Sequence, residues 1–310
     1  MSSPAKMHAD ELDIDEELIA RLIAEQFPRW AGPAVVRVGS AGTDNAMYRL
    51  GDDMVVRLPR VPGGGRQVDR EHRWLPRLAP HLPLTIPTPL AKGMPGHGYP
   101  LAWGVYEWLG GENAYDAPLT ELRDAAAKLG RFVAALRSVD AADGPPSYRG
   151  GPVGADDAGV RAAIRDLGAA GTLDATTATA AWESVLRLPQ WDADPVWLHG
   201  DLLPGNLLTS SGRLTSVIDF GCLGVGDPAA DTMAAWTVFD AGSREVFRAA
   251  ADVDEATWAR GRGWALRFGL TAEHYYGEVC GNGTNPVLAA VGRRAVSEVL
   301  AEWASGDASG

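Results

Sequence analysis

Long apolar runs are missing from this chain of 310 residues, and none approaches the ~20 needed to cross a membrane. Cysteine is close to missing. Cys222 and Cys280 give neither a disulfide framework nor a metal-ligand spacing, so a reduced, cytoplasmic compartment is the expected one. The acidic opening, MSSPAKMHADELDIDEELIARL, holds no apolar core of a signal peptide. Lysine is the scarcest charged residue, present only as Lys6, Lys92 and Lys128. What remains describes an ordinary globular protein: 46% of residues are apolar, and the length suffices for two lobes around a shared cleft.

One stretch carries chemistry. WLHGDLLPGN at 197–206 and SVIDFG at 216–221 bring a His, two Asp and an Asn close together in sequence. His199, Asp201 and Asn206 follow the catalytic-loop pattern of kinases, in which an Asp base precedes a metal-binding Asn by five positions. The apolar run 214–218 ends at Asp219, followed by Phe220 and Gly221, and reads as a D-F-G metal acid. A chance D-x-x-x-x-N is common, and two surface acids at strand ends would explain either half alone. Both halves occur in order, however. A hairpin with Leu207 and Leu208, a turn at Ser210-Ser211-Gly212 and a return strand at 214–218 would join them. Together they point to metal-dependent phosphoryl transfer.

HGDLLPGN, with Gly200 where protein kinases carry Arg, resembles the aminoglycoside phosphotransferase family, whose relatives include macrolide, choline and homoserine kinases. GVGDPAADTMAAW at 224–236 resembles it too. The resemblance runs from about residue 35 to the end and is specific mainly in 197–236. It implies an α+β, protein-kinase-like fold of two lobes. A nucleotide-binding lobe with a small, mainly antiparallel sheet would occupy 1–105, a hinge 106–112, and a larger, mainly helical catalytic and acceptor-binding lobe 113–310. It also implies a nucleoside triphosphate donor, ATP or GTP, and Mg²⁺ held by the oxygens of Asn206 and Asp219. Asp201 would take the proton of the acceptor hydroxyl. His199, the other member of the catalytic loop, would pack and hydrogen-bond near Asp219. Asp227, before a Pro, and Asp231, near a helix start, read first as helix caps. The resemblance adds that Asp231 would tie its helix to the catalytic loop.

The N-terminal third contains a helix at 13–27 with Leu18, Ile19, Leu22 and Ile23 at helical spacing, capped by Asp13 or Asp15 and closed by Pro28. Strands are expected at 35–38, 46–50 and 54–58. The small, polar loop 39–45 occupies the place of a nucleotide-covering loop, with Ser40, Gly42, Thr43 and Asn45 as phosphate contacts. It lacks a G-x-G-x-x-G pattern, so a plain hairpin turn fits it equally well. The third strand lacks the Lys that kinases place there, and Arg57 stands in its position. Arginine offers a permanent charge and a fork suited to phosphate and carboxylate. Its expected partner is Glu71 on a helix at 67–78, with Asp69 a close rival. A strand at 101–108 leads into YEWLGGE, 106–112. There the backbone from Glu107 to Leu109 would pair with the nucleotide base, and Gly110 and Gly111 would let the lobes rotate.

Further on, Leu122, Ala126, Leu129, Phe132, Val133 and Leu136 mark one face of a helix at 119–139. Residues 141–154 form a Pro- and Gly-rich loop, and 155–187 carry Ala-rich helical patterns. Helices there line the acceptor pocket in the resembling family, which makes Asp156, Asp157 and Asp166 candidate cation contacts, although each also reads as a surface acid. Trp258, Trp264 and Phe268 read as core. Glu273, His274, Tyr276 and Glu278 precede a Gly-rich loop and are candidates for selecting the acceptor. Residues 1–105 carry 12 basic and 12 acidic residues, and 106–310 carry 16 and 28, so the whole net charge of −12 lies in the second part. Such a surface attracts cations and repels nucleic acid, though solubility alone would also explain it. With the resemblance, it favours a small polycationic acceptor of aminoglycoside type. A metabolic kinase for a choline-, sugar- or amino-alcohol-like acceptor, a macrolide or peptide-antibiotic kinase, and a non-catalytic nucleotide-binding protein are the alternatives.

Overall fold

The mostly apolar stretches 45–50 and 54–59 fold into the central hairpin of a five-stranded antiparallel sheet. The computed structural model describes residues 12–39, 44–61 and 64–307. The chain divides into two units, Met1–Pro80 with Thr85–Gly111 and His81–Leu84 with Glu112–Gly310. In the first, the strands are β1 (Val35–Arg37), β2 (Asn45–Leu50), β3 (Met54–Pro59), β4 (Pro89–Gly93) and β5 (Trp103–Glu107), in the order β1-β2-β3-β5-β4. Helix α1 (Glu16–Gln26) precedes the sheet. Its apolar stripe of Leu18, Ile19, Leu22 and Ile23 joins Tyr48, Leu58, Trp103 and Val105 in one core. Each such buried aliphatic side chain contributes about 1.5–3 kcal/mol. Asp15, not Asp13, is the cap, its carboxylate accepting from the Leu18 N–H at 2.7 Å. Helix α2 (Gly65–Leu78) connects β3 to β4 and buries Val68, Glu71, Trp74, Leu75 and Leu78.

The second unit is mainly helical. A three-stranded sheet, β6 (Glu112–Asn113), β8 (Leu207–Ser210) and β9 (Arg213–Val217), lies in the order β6-β8-β9, and β7 (Val196–Leu198) pairs with β10 (Gly224–Gly226). The helices are α3 (Leu122–Arg137), α4 (Asp157–Ala169), α5 (Ala175–Leu186), α6 (Ala229–Thr232), α7 (Ala234–Thr237), α8 (Ala241–Ala251), α9 (Glu255–Tyr276) and α10 (Pro286–Asp307). The expected helical stretch 155–187 is two helices. Gly171 at φ 73° ends the first, and the carboxylate of Asp174 caps the second by accepting from Thr176 and Thr177. Asp240 and Asp254 cap α8 and α9 in the same way. Among the described residues, no helix is long and apolar enough to cross a membrane.

Candidate active site

In the first unit the strand arginine is sealed in. Arg57, in the middle of β3, sets one guanidinium nitrogen against both oxygens of Glu71 on α2 at 3.0 and 3.2 Å. Side-chain exposure is 8% for Arg57 and 1% for Glu71. Tyr106 on β5 completes the group: its hydroxyl donates to Glu71 Oε2, and its ring lies 5.3 Å from the guanidinium carbon. Asp69, the rival partner, pairs with Lys92 instead. Sequence reasoning missed Tyr106. Its signal was the register, since Arg57 pairs with Gly104 and leaves the aromatic two residues on at the same strand. Asn45 begins β2 and is buried, whereas Ser40, Gly42 and Thr43 lie outside the described residues. The Glu107 and Trp108 N–H groups are spent on the carbonyls of Thr88 and Asp53 at 2.9 and 2.8 Å.

In the second unit the motif residues converge on one end of the β8–β9 hairpin. Ser211 and Gly212, at φ 50° and 73°, form its two-residue turn, the left-handed pair that matches strand twist. At the other end the Ile218 N–H donates to the Asn206 carbonyl at 2.9 Å, which brings Asn206 and the segment leading into Asp219 side by side. The Asn206 side-chain amide nitrogen donates to the Asp201 carbonyl at 2.8 Å and to Asp201 Oδ2 at 2.9 Å. With the nitrogen spent, Asn206 has its amide oxygen left to offer a ligand. Asp219 sits at φ 61°, a left-handed conformation that Asp tolerates better than branched residues.

His199 is fully buried, and both ring nitrogens bond to backbone. Nε2 lies 3.1 Å from the Ile218 carbonyl, which can only accept, so Nε2 carries the proton; Nδ1 accepts from the Asp201 N–H at 3.2 Å. The ring meets Phe220 edge-on at 4.5 Å. The next residue, Gly200, has φ 80°, and a Cβ there would stand 3.0 Å from Cys222 Cβ. That is a physical reason for Gly at this place in HGD. Below the loop, the Asp231 carboxylate accepts from the His199 and Gly200 N–H groups at 2.9 and 2.6 Å. Asp231 therefore binds the catalytic loop rather than capping its own short helix. Burial pushes its carboxyl above the usual range, opposed by those two N–H bonds. Asp227 does cap, accepting from the Ala229 N–H at 3.0 Å, and forms a buried pair with Arg260 at 2.7 Å.

One member of the site had no motif to announce it. Arg149, in the Pro- and Gly-rich loop, donates to the Gly200 carbonyl at 3.0 Å and to Asp201 Oδ1. Burial pulls its pKa down, but the Asp201 carboxylate, with Cys222 and Tyr148 beside it, raises it on balance, so it stays charged. The only cue in the sequence was that Arg149 is the single basic residue of 141–154.

The acceptor candidates are dispersed, and several already have partners. Asp157 starts α4 and accepts from Trp182 Nε1 at 2.8 Å and Arg161 at 2.9 Å. Asp156 is exposed, 4.0 Å from Arg267. Glu273 is buried and paired with Arg293 at 2.7 Å. His274 meets Asp166 at 3.0 Å. Tyr276 packs edge-on against the ring of Tyr275 at 4.7 Å, and Glu278 is exposed.

An HGD loop tied through Asn206 to a hairpin that ends in Asp-Phe-Gly, in a chain whose other unit carries an Arg–Glu pair on strand and helix, defines a kinase-like phosphotransferase. The chain belongs to the phosphotransferase enzyme family, whose model, APH, matches residues 35–264, and such an enzyme acts on a hydroxyl group of a small molecule. Among solved structures it is similar to the GDP complex of wild-type aminoglycoside 2'-phosphotransferase-IIIa, with 19% identity, coverage of 93% of this chain and 99% of that one, and TM-score 0.70. An APH(2")-type enzyme in complex with GDP and kanamycin is 20% identical over 92% of this chain and 99% of its own, at TM-score 0.67. Macrolide 2'-phosphotransferase MphH from Brachybacterium faecium is 26% identical over 89% and 97%, at TM-score 0.56. No curated protein sequence matches this chain.

Proposed function

We propose that this protein transfers the γ-phosphoryl group of a nucleoside triphosphate to a hydroxyl of a small acceptor, and that Asp201 is its base. The observation that carries the reading is the Asn206–Asp201 contact at the end of the hairpin that presents Asp219. It supports the reading because Asp201, Asn206 and Asp219 meet on one short piece of chain. Asn206 and Asp219 suit Mg²⁺: both offer hard oxygen ligands, and the nitrogen that would repel the ion is turned to Asp201. Among the described residues, no three His, Cys, Asp or Glu side chains cluster as a metal cage. Two protein oxygens completed by phosphates is a form that Mg²⁺ takes with nucleotides. When bound, the ion neutralises phosphate charge.

The remaining work belongs to the chain. The acceptor oxygen attacks the γ-phosphorus as the bond to the bridging oxygen breaks, leaving a nucleoside diphosphate. The hydroxyl proton passes to the Asp201 carboxylate. Such a loose transition state rewards positioning. His199, with both nitrogens committed, moves no proton; it holds the loop over Ile218 and Phe220. Asp231 fixes the loop from below. Arg57 holds phosphates, with Glu71 and Tyr106 orienting it. Asn45 and the loop before it cover the nucleotide, the backbone from Glu107 to Leu109 meets its base, and 106–112 serves as the hinge.

The acid excess of 106–310 supports a cationic acceptor, and an aminoglycoside-type compound is the first class to test. Asp156, Asp157, Glu273, His274 and Tyr276 are the candidates for meeting it; Asp156, Asp157 and Glu273 already face Arg267, Arg161 and Arg293, with which the acceptor's cations would compete. A macrolide is the second reading, favoured by the 26% identity to a macrolide phosphotransferase. The test is Mg²⁺-dependent consumption of ATP and GTP against aminoglycosides, macrolides, choline and homoserine. Stimulation by an aminoglycoside supports the cationic reading, stimulation by macrolides alone supports the second, and an absence of nucleotide turnover contradicts the reaction.

A further inference from the structure

The catalytic loop from His199 to Asn206 contains no Lys or Arg. Yet the carboxylate of Asp201 is held at both oxygens, Oδ2 by Asn206 at 2.9 Å and Oδ1 by Arg149, which arrives from a segment 52 residues upstream. Resting on the phosphotransfer reading above, we propose that Arg149 is a positioning residue for the base. It locks the orientation of Asp201 and supplies the fixed positive charge that the loop itself lacks.

The backbone carrying Arg149 is built to be stiff. Pro145 O accepts from Val225 N at 2.8 Å, Ser147 N donates to Val225 O at 3.0 Å, and Asp227 N donates to Gly150 O at 2.9 Å. The Ser147 hydroxyl donates to the Cys222 carbonyl at 2.7 Å and accepts from the Arg149 N–H at 3.1 Å. Residues 145–150 thus lie along 222–227 as an extra strut. This approach requires the glycines of the GVGD segment: a Cβ on Gly224 would come within 2.5 Å of Ser147 N, and one on Gly226 within 2.4 Å of Gly150 O. Asp227, at the end of the strut, is pinned by Arg260. The guanidinium of Arg149 rests 6.0 Å from the Phe268 ring, and its Nη1 bridges the Gly200 carbonyl and the Asp201 carboxylate.

A pair that only locks a core is closed. The Arg260–Asp227 pair is, with side-chain exposures of 5% and 4%. Arg149 and Asp201 are 24% and 22% exposed, so an incoming hydroxyl and phosphoryl group can reach them. A carboxylate oxygen has a second lone pair, so the hydroxyl can bond to Asp201 while Arg149 stays in place. Held at both oxygens, the base cannot swing away from the acceptor.

The test uses the full chain with Mg-ATP and Mg-GTP. Turnover is measured with water as acceptor and with the best acceptor of the panel, and nucleotide affinity is measured separately. Arg149→Met is expected to lower kcat about 100-fold, the scale of a misplaced catalytic group, with nucleotide affinity and nucleotide KM unchanged. Arg149→Lys is expected to recover part of the loss. Ser147→Ala, which loosens the strut and leaves the arginine, is expected to lower kcat less and in the same direction, so the proposal stays open to test if Arg149→Met does not fold. Folded Arg149→Met with wild-type kcat overturns this proposal alone, as does Arg149→Lys no better than Arg149→Met. Wild-type protein that binds no Mg-nucleotide and turns none over overturns the phosphotransfer reading, and this proposal with it.

Discussion

Two arginine–carboxylate pairs of like chemistry sit in opposite surroundings. Arg57 and Glu71 are shut away at 8% and 1% exposure, with the Tyr106 hydroxyl donating to Glu71. Arg149 and Asp201 are open at 24% and 22%. A buried pair is locked by its own desolvation, because removing one partner strands the other charge in a medium that cannot solvate it. An open pair stays accessible to a ligand and can be broken at lower cost to the fold. On the reading proposed above, the buried pair fixes Arg57 in place for the phosphates, and the open pair keeps Asp201 within reach of an acceptor.

Mutations at the two pairs should therefore separate stability from turnover. Asp201→Ala is expected to lose roughly 10²–10⁴-fold in kcat, the usual contribution of a general base, while binding nucleotide as the wild type does. Equal turnover in the variant would break the comparison. Asp219→Ala should bind nucleotide with the same affinity with and without Mg²⁺, whereas the wild type should gain affinity from the ion; titration calorimetry in both conditions decides it. On the buried side, Glu71→Ala should destabilise the fold by about 3–5 kcal/mol, the cost of an uncompensated buried charge. Tyr106→Phe should cost about 1.5–3 kcal/mol, the value of a hydrogen bond to a charged group. Denaturant unfolding reads both. A loss near zero for Glu71→Ala would make the two pairs equivalent.

The smallest effect lies at neither pair. Thr257 N–H lowers the pKa of Asp254, the Ser243 hydroxyl that of Asp240 and the Thr177 hydroxyl that of Asp174, each acid being a helix cap. An acid with a depressed folded pKa adds stability above its unfolded value of ~3.9, and that stability is lost as pH falls through the lower folded value. Resistance to thermal unfolding should accordingly weaken below about pH 4. Asp254→Asn, which keeps a capping oxygen that does not titrate, should flatten that slope while changing stability at neutral pH little.

Much of this site could be read before any coordinates, because its residues are local in sequence. Asp201 and Asn206 lead into the β8–β9 hairpin and Asp219 follows it, so spacing along the chain brings them to one end of it. Arg57 and Glu71 sit 14 residues apart on a strand and the helix after it, and only the choice between Glu71 and Asp69 needed the fold. The helix at 16–26 and the amphipathic face of α3 followed from the 3.6-residue period. What escaped was long-range. Arg149 reaches Asp201 through backbone pairing with 222–227, and backbone pairing leaves no side-chain pattern. For Asp231 the residues alone read as a cap, because acids at helix starts usually are; the resemblance pointed to the catalytic loop, and its partners there, the N–H groups of His199 and Gly200, are about thirty residues away in sequence. The acceptor candidates were chosen by charge, and the charge of Asp157 and Glu273 turned out to be answered from within the chain.

The most direct test of the account is a paired assay of wild type and Asp201→Ala, with Mg²⁺-dependent nucleotide consumption and nucleotide affinity measured on the same samples. The account predicts turnover in the wild type, stimulated by a hydroxylated small molecule, and its loss in the variant with affinity unchanged. Turnover that survives in Asp201→Ala would contradict it.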